Sequence, residues 1–169
     1  MNREPIKIIG DILVNCMTLD SQQIIIYNQD FKVPETSDLF IVLQYSSSPN
    51  VLYNTNQFLP ADEGVEGAQQ NLSMLAKENY IINVLSKNDE SRLRKEEVIL
   101  SLNSDFSRNQ QELYQFQIAR LSNSFTNVSE LEGAGMLNRF ALNISLTAHY
   151  SKTVPTVYYD DFTNQINIE

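Results

Sequence analysis

The sequence predicts an α/β chain of the α+β type: a largely antiparallel sheet of about four to six strands with two main helices packed on one face. Three observations lead there. Residues 137–150, LNRFALNISLTAHY, alternate strictly, with Phe140, Leu142, Ile144, Leu146, Ala148 and Tyr150 on one face. Arg139, Asn143, Ser145, Thr147 and His149 fall on the other, which is the pattern of a strand with one face in a core. Residues 6–19 repeat with helical spacing instead, and residues 91–103 form a second helical segment lying between two alternating ones.

The alternating stretch near the C-terminal end is long. Its fourteen residues span roughly 45 Å at about 3.4 Å each, against about 5–6 residues in an ordinary strand. A small single domain has no internal need of such a strand, so its length points to a neighbour.

Composition sets the bounds. At 169 residues the chain is one domain by length, able to bury about 70% of its unfolded surface. A hydrophobic content of 42% and a charged content of 20% are ordinary for a globular protein. No apolar run approaches the ~20 residues of a membrane span. The polar start MNREPIK lacks the plan of a signal peptide, so the expected site of synthesis is a cytoplasm. One cysteine, Cys16, excludes an internal disulfide and a multi-thiolate metal site within one chain. One histidine, His149, removes paired-histidine zinc motifs. Twelve basic against twenty-one acidic residues give a formal charge of −9, which opposes tight wrapping of nucleic acid.

Taken in order, Pro5 opens a helix whose apolar side holds Ile6, Ile8, Ile9, Ile12, Leu13, Cys16, Met17 and Leu19. That places Cys16 in the core as a small apolar residue. Residues 24–27 form a short β-branched strand, 31–34 a short edge piece, and 39–45, LFIVLQY, a central strand. Residues 46–67 read as a long loop with one short strand at 51–53, because SSSPN and several Gly, Pro and acidic residues interrupt any period. Residues 69–85 read as a long strand bent near Lys77 and Glu78. Asn88 is the expected N-cap of the second helix, and Glu90 and Arg94 stand in the favourable order for an i, i+4 pair. Residues 105–111 are a polar break able to add a helical turn, and 113–121 alternate with Tyr114, Phe116 and Ile118 on one face. Residues 122–135 form a second loop ending in Gly133-Ala134-Gly135.

A search for chemistry finds no catalytic constellation. Gly133-Ala134-Gly135 lacks the third glycine of a dinucleotide fingerprint and precedes a strand, so it reads as a hinge. Asp62-Glu63, Glu96-Glu97 and Asp160-Asp161 are adjacent carboxylates, which point in different directions and do not converge on one proton. Ser145 and His149 share a strand face but lie roughly 13 Å apart, beyond hydrogen-bond reach. The expectation is a protein with no enzymatic activity, no cofactor and no metal site.

Three segments together carry a resemblance. YIINVLSKNDESRLRKEEVILSLNS (residues 80–104), QELYQFQIARLSNSFTNVSELEGAGMLNRFALNISLTAHY (111–150) and VYYDDF (157–162) resemble, in pattern and order, the tail-terminator or neck-completion proteins of tailed bacteriophages. NVSELEGAGMLNRF is the most characteristic piece, whereas residues 46–67 match nothing in that family's pattern. The resemblance implies a small α/β subunit that closes as a ring, commonly of six copies, on the head-side end of the tail tube. It implies as partners the tail-tube protein, a head-side connector protein and other copies of the chain, with DNA passing through the lumen unbound and no membrane involved. The expected location is the virion neck.

On that basis two surfaces are expected to matter. Asn127, Glu130, Glu132, Gly133 and Gly135, with Arg139, Asn143, Ser145, Thr147 and His149, are candidate subunit or tube contacts. Asp62, Glu63 and Glu66 are candidates for a lumen or docking loop. The alternatives are another connector, stopper, tube or baseplate component of the same machine, and a small carboxylate- or metal-dependent enzyme.

Overall fold

The structure is a computed structural model that describes residues 4–26, 35–59, 68–122, 124–132 and 135–156. It is an α+β fold built on a mixed sheet. Five strands lie side by side in the order β1 (Ile24–Ile26), β2 (Phe40–Leu59), β3 (Ala68–Ser86), β7 (Gly135–Thr156) and β4 (Phe116–Leu121). Two short strands, β5 (Thr126–Asn127) and β6 (Glu130–Glu132), also pair with β7. Only the β1–β2 pair is parallel among these.

Three helices share one face of this sheet. Helix α1 (Pro5–Met17) begins at its proline, and Ile6, Ile8, Ile9, Ile12, Leu13 and Met17 are buried against the sheet. It lies close: a Cβ added at Gly10 would meet Ile24 at 3.2 Å and Leu43 at 3.6 Å. Helix α2 (Glu90–Leu102) buries Val98 and Leu102, and α3 (Asp105–Leu113) follows after Ser104, whose side chain accepts from the Ser107 N–H as its cap. The core between the layers takes Leu39 just before β2, Ile41 and Leu43 from β2, Tyr80, Ile82 and Val84 from β3, and Leu142, Ile144, Leu146 and Ala148 from β7. These β7 residues are the apolar face that the alternation predicts. A smaller apolar cluster, Phe40, Val42, Leu85 and Leu137, lies on the opposite face of the sheet.

Several expectations are corrected. Residues 46–59 are not loop but the outer half of β2, a twenty-residue strand whose register against β3 shifts between Tyr45 and Ser47, Ser47 and Asn50, and Val51 and Tyr53. Those bulges accommodate Pro49 and the serines and erase the period of two, while the neighbour β3, itself in unshifted register with β7, keeps supplying hydrogen-bonding partners. The 122–135 loop is likewise tied down, by β5 and β6, whose pairings are too short to leave a pattern. Strand β7 is also longer than the alternation indicates, running from Gly135 to Thr156.

In the helices, Cys16 is exposed. Its last-turn position points at the α2–α3 corner, where Sγ lies 3.5 Å from the Ser104 hydroxyl. The N-cap position of α2 is Asp89, although the Asn88 side chain still accepts from the Glu90 N–H at 2.9 Å. Arg94 turns from Glu90 to fork onto Glu97, and its other contact, 2.9 Å to the Met17 carbonyl, ties α2 to the end of α1. Residues 31–34, 60–67, 133–134 and 157–169 lie outside the described residues, and with them the short edge piece, the glycine hinge's first two residues, Asp160-Asp161 and the docking-loop residues.

The burial pattern sets a mutational contrast. Ile82 is fully buried under the helices, so Ile82→Ala is expected to lower unfolding free energy by about 2–5 kcal/mol. Phe58 is 63% exposed, so Phe58→Ala is expected to change it by no more than about 0.5 kcal/mol. Urea titration followed by far-UV circular dichroism measures both.

Candidate assembly surface

The three long strands outrun the helices. From Ala76 and Ala148 outward the sheet continues as a three-stranded blade made of residues 51–59 of β2, 68–76 of β3 and 148–156 of β7. The buried core stops at Ala76 and Ala148, while Val51, Leu52, Tyr53, Phe58 and Leu72 are exposed on the blade. Tyr53 is 61% accessible. On the helix side the blade has a concavity of about 570 Å³, lined by Asn54, Asn56, Leu72, Met74, Tyr150 and Lys152.

The blade is nearly free of charge. Strand β2 has no charged residue over its whole length, and the three long strands together carry only Lys77, Glu78, Arg139 and Lys152. The described ion pairs lie on or beside the helices: Lys7–Glu4, Arg92–Asp89, Arg94–Glu97, Lys95–Glu96 and Arg108–Asp105. For a chain of net charge −9, this is a strongly segregated surface. Isolated exposed apolar residues are ordinary, but a group of them on a sheet with so little charge is a candidate contact surface.

The predicted polar face of β7 is present, and much of it is occupied internally. The Ser145 hydroxyl donates to Asn79 Oδ1 at 2.6 Å, and Asn79 Nδ2 donates to the Ser47 hydroxyl at 3.2 Å, a ladder across β7, β3 and β2. Arg139 Nε donates to Asn83 Oδ1 at 3.1 Å. His149 is held by Gln115, whose carbonyl accepts the His149 N–H at 3.1 Å and whose side-chain oxygen is 3.3 Å from Nδ1. Gln115 has a φ of 55°, a left-handed turn that swings the chain from α3 into β4. Thr147 is half-buried, and Asn143 is exposed beside Ser46, Asn79, Ser122, Ser124 and Ser145, which line an open concavity of about 580 Å³.

The loop residues separate from that face. Asn127 lies on β5 and spends its side-chain oxygen locally, accepting from the Ser129 N–H and hydroxyl. Glu130 and Glu132 lie on β6, where their backbones pair with Leu137 and Gly135 at the far end of β7. His149 therefore belongs to the blade end of β7 and Glu132 and Gly135 to the other end, so the structure does not bring the predicted contact residues into one patch.

Sequence reasoning missed one feature of the blade's root. Glu78 is 3% exposed on the core face of β3, where its carboxylate accepts from the hydroxyls of Tyr80 and Tyr150. Tyr45 stacks obliquely on Tyr80 with ring centroids 4.9 Å apart. Burial, together with the Glu78 carboxylate, pushes the hydroxyls of Tyr80 and Tyr150 well above the ordinary tyrosine value, and burial with Glu4 raises that of Tyr45. The signal was available: Glu78 shares the phase of Ala76, Tyr80, Ile82 and Val84, which makes it a core position filled by an acid. The cluster couples β2, β3 and β7 where the body gives way to the blade.

Among the described residues no three His, Cys, Asp or Glu side chains gather as they would around a metal ion, and no helix is long and apolar enough to cross a membrane. No protein-family model matches the chain, and no characterised protein matches its sequence.

The tyrosines make stability depend on alkaline pH. A hydroxyl whose pKa is higher folded than unfolded contributes stability that is complete below the unfolded value of 10.0 and is lost as pH climbs through the folded one. Unfolding free energies from urea titrations are therefore expected to hold near pH 8 and fall above about pH 10, by up to about 1.4 kcal/mol per pH unit from the buried Tyr80 and by less from the part-exposed Tyr150. Tyr150→Phe is expected to start from a lower midpoint, because Glu78 loses a donor, and then to fall less steeply. An equally steep fall in that variant would locate the titration elsewhere.

Proposed function

We propose that this chain is a structural protein of a tailed-phage neck, a subunit of a six-membered ring that caps the tail tube, ends its polymerisation and joins the tail to the head connector. The observation that carries the reading is the blade: three strands that run past their own helices and leave a partly apolar sheet with little charge, uncovered by any other described residue. A monomer gains nothing from such an extension, whereas a subunit gains a surface for its neighbours.

The resemblance of residues 80–104, 111–150 and 157–162 to tail-terminator proteins supplies the identity of the assembly. The fold agrees with what that family implies, a sheet carrying helices on one side. The work of the ring is geometric, with no bond made or broken. It presents one rim to the tube and the other to the connector, and its acidic character lets DNA slide through without adhering. Its partners are further copies of itself, the tail-tube protein and the head-side connector protein. Its place of action is the virion, after synthesis in the bacterial cytoplasm.

Light scattering and negative-stain microscopy of the purified protein are expected to give a ring of about six subunits, as closed cyclic assemblies of this kind do. A phage lacking the gene is expected to leave heads and tails unjoined, with tails of abnormal length. Normal infectious particles without the protein would contradict the proposal.

A further inference from the structure

The way the ring closes can be read from the edges of the blade, granting the ring itself. Strand β1 covers the outer edge of β2 only at residues 41–43. Strand β4 covers the outer edge of β7 only up to Ala148, and the Gln115 carbonyl takes the His149 N–H. Farther along, no described strand pairs with the outer edge of either β2 or β7. Two rows of backbone donors and acceptors thus face outward on opposite sides of one blade.

The two rows match. Through β3, Asn54 lies level with Met74 and Tyr150, Asn56 with Leu72 and Lys152, and Phe58 with Gln70 and Val154. The bulges of β2 end by Tyr53, so residues 54–58 form a regular edge, and residues 150–154 form its counterpart before Pro155. Five residues is close to the usual length of a pairing strand. Edges of monomeric proteins are usually blunted by charge, proline or a bulge. Here residues 54–58 have none of these, and residues 150–154 have Lys152 alone.

We propose that these edges join neighbouring subunits: residues 54–58 of one copy pair as a parallel ladder with residues 150–154 of the next. Both β2 and β7 run antiparallel to β3, hence parallel to each other, and rotation about a ring axis brings them together in that sense. The occupant is a second copy on two grounds. Chains of charge −9 repel one another, and the blade, whose one charge is Lys152, is where two copies approach at least electrostatic cost. The two edges also differ, so head-to-tail pairing uses both and closes a ring, whereas two-fold pairing would use one edge twice and leave the other open.

The test is cysteine cross-linking in the full-length protein with Cys16→Ser. Asn56→Cys is combined with Lys152→Cys, residues that share one level and one face of the blade; Asn54→Cys and Phe58→Cys replace Asn56→Cys to cover a shifted register. Adjacent strands lie about 4.8 Å apart, within disulfide range. Oxidation of at least one double variant is expected to give a ladder of covalent oligomers up to the ring size on a denaturing gel, with the single variants giving none. Phe58→Glu is expected to raise the concentration needed for assembly at least tenfold with an unchanged far-UV spectrum. Rings by light scattering with no cross-link in any pairing would overturn the edge pairing and leave the ring standing. Dimers from a single variant would overturn it in favour of two-fold pairing. A wild-type chain that stays monomeric at every concentration and on the tube would overturn the ring reading on which this rests.

Discussion

The structure depends on one continuous hydrogen-bonded ladder. Strands β3 and β7 pair antiparallel from Ala68 opposite Thr156 to Ser86 opposite Asn138, without a register shift. Because the period of a strand is two, that unbroken register fixes which side chains meet the helices along the whole length. It puts Tyr80, Ile82 and Val84 beside Ile144, Leu142 and Phe140 under α1 and α2, and Asn79 beside Ser145 on the other face. It also carries the sheet beyond the helices, where a hydrophobic core no longer explains it. Strand β2 follows this template even where its own sequence is irregular.

The chain divides its charges accordingly. The described ion pairs lie on or beside the helices, which face solvent, and the blade has almost no charge. Between the two, Glu78 is held by the hydroxyls of Tyr80 and Tyr150 inside the sheet's core face. A buried carboxylate is tolerated only when its oxygens are satisfied, and here both donors come from strands that continue into the blade. Geometry at the root is therefore set by hydrogen bonds, which are directional, and not by apolar packing alone. In the proposed ring such a root would hold the blade at a fixed angle to its neighbour.

Legibility of the sequence followed the burial. The face of β7 was readable because Leu142, Ile144, Leu146 and Ala148 alternate with polar residues over a half-buried sheet. The core side of α1 was readable from helical spacing, apart from Cys16, where the wheel gives a direction but not what stands there. The outer half of β2 was not readable, since a strand with both faces exposed has no reason to alternate, and its bulges around Pro49 mimic a loop. For the same reason the candidate contacts were placed on the polar face of β7, where the pattern was strong. Ser145 and Arg139 there bond to the neighbouring strand, while the uncovered sheet lies farther along, in residues with no pattern to detect.

No described residue covers the outer edges of the blade in the single subunit, and in the proposed ring the neighbours cover both. Hydrogen–deuterium exchange at the amides of residues 54–58 and 150–154, compared between dilute subunits and the assembled ring, tests it directly. Fast exchange of the outward-facing amides is expected in the dilute protein, with strong protection of both segments together in the ring. Equal protection in the two states, or protection gained on the helices while the blade stays unchanged, would contradict it.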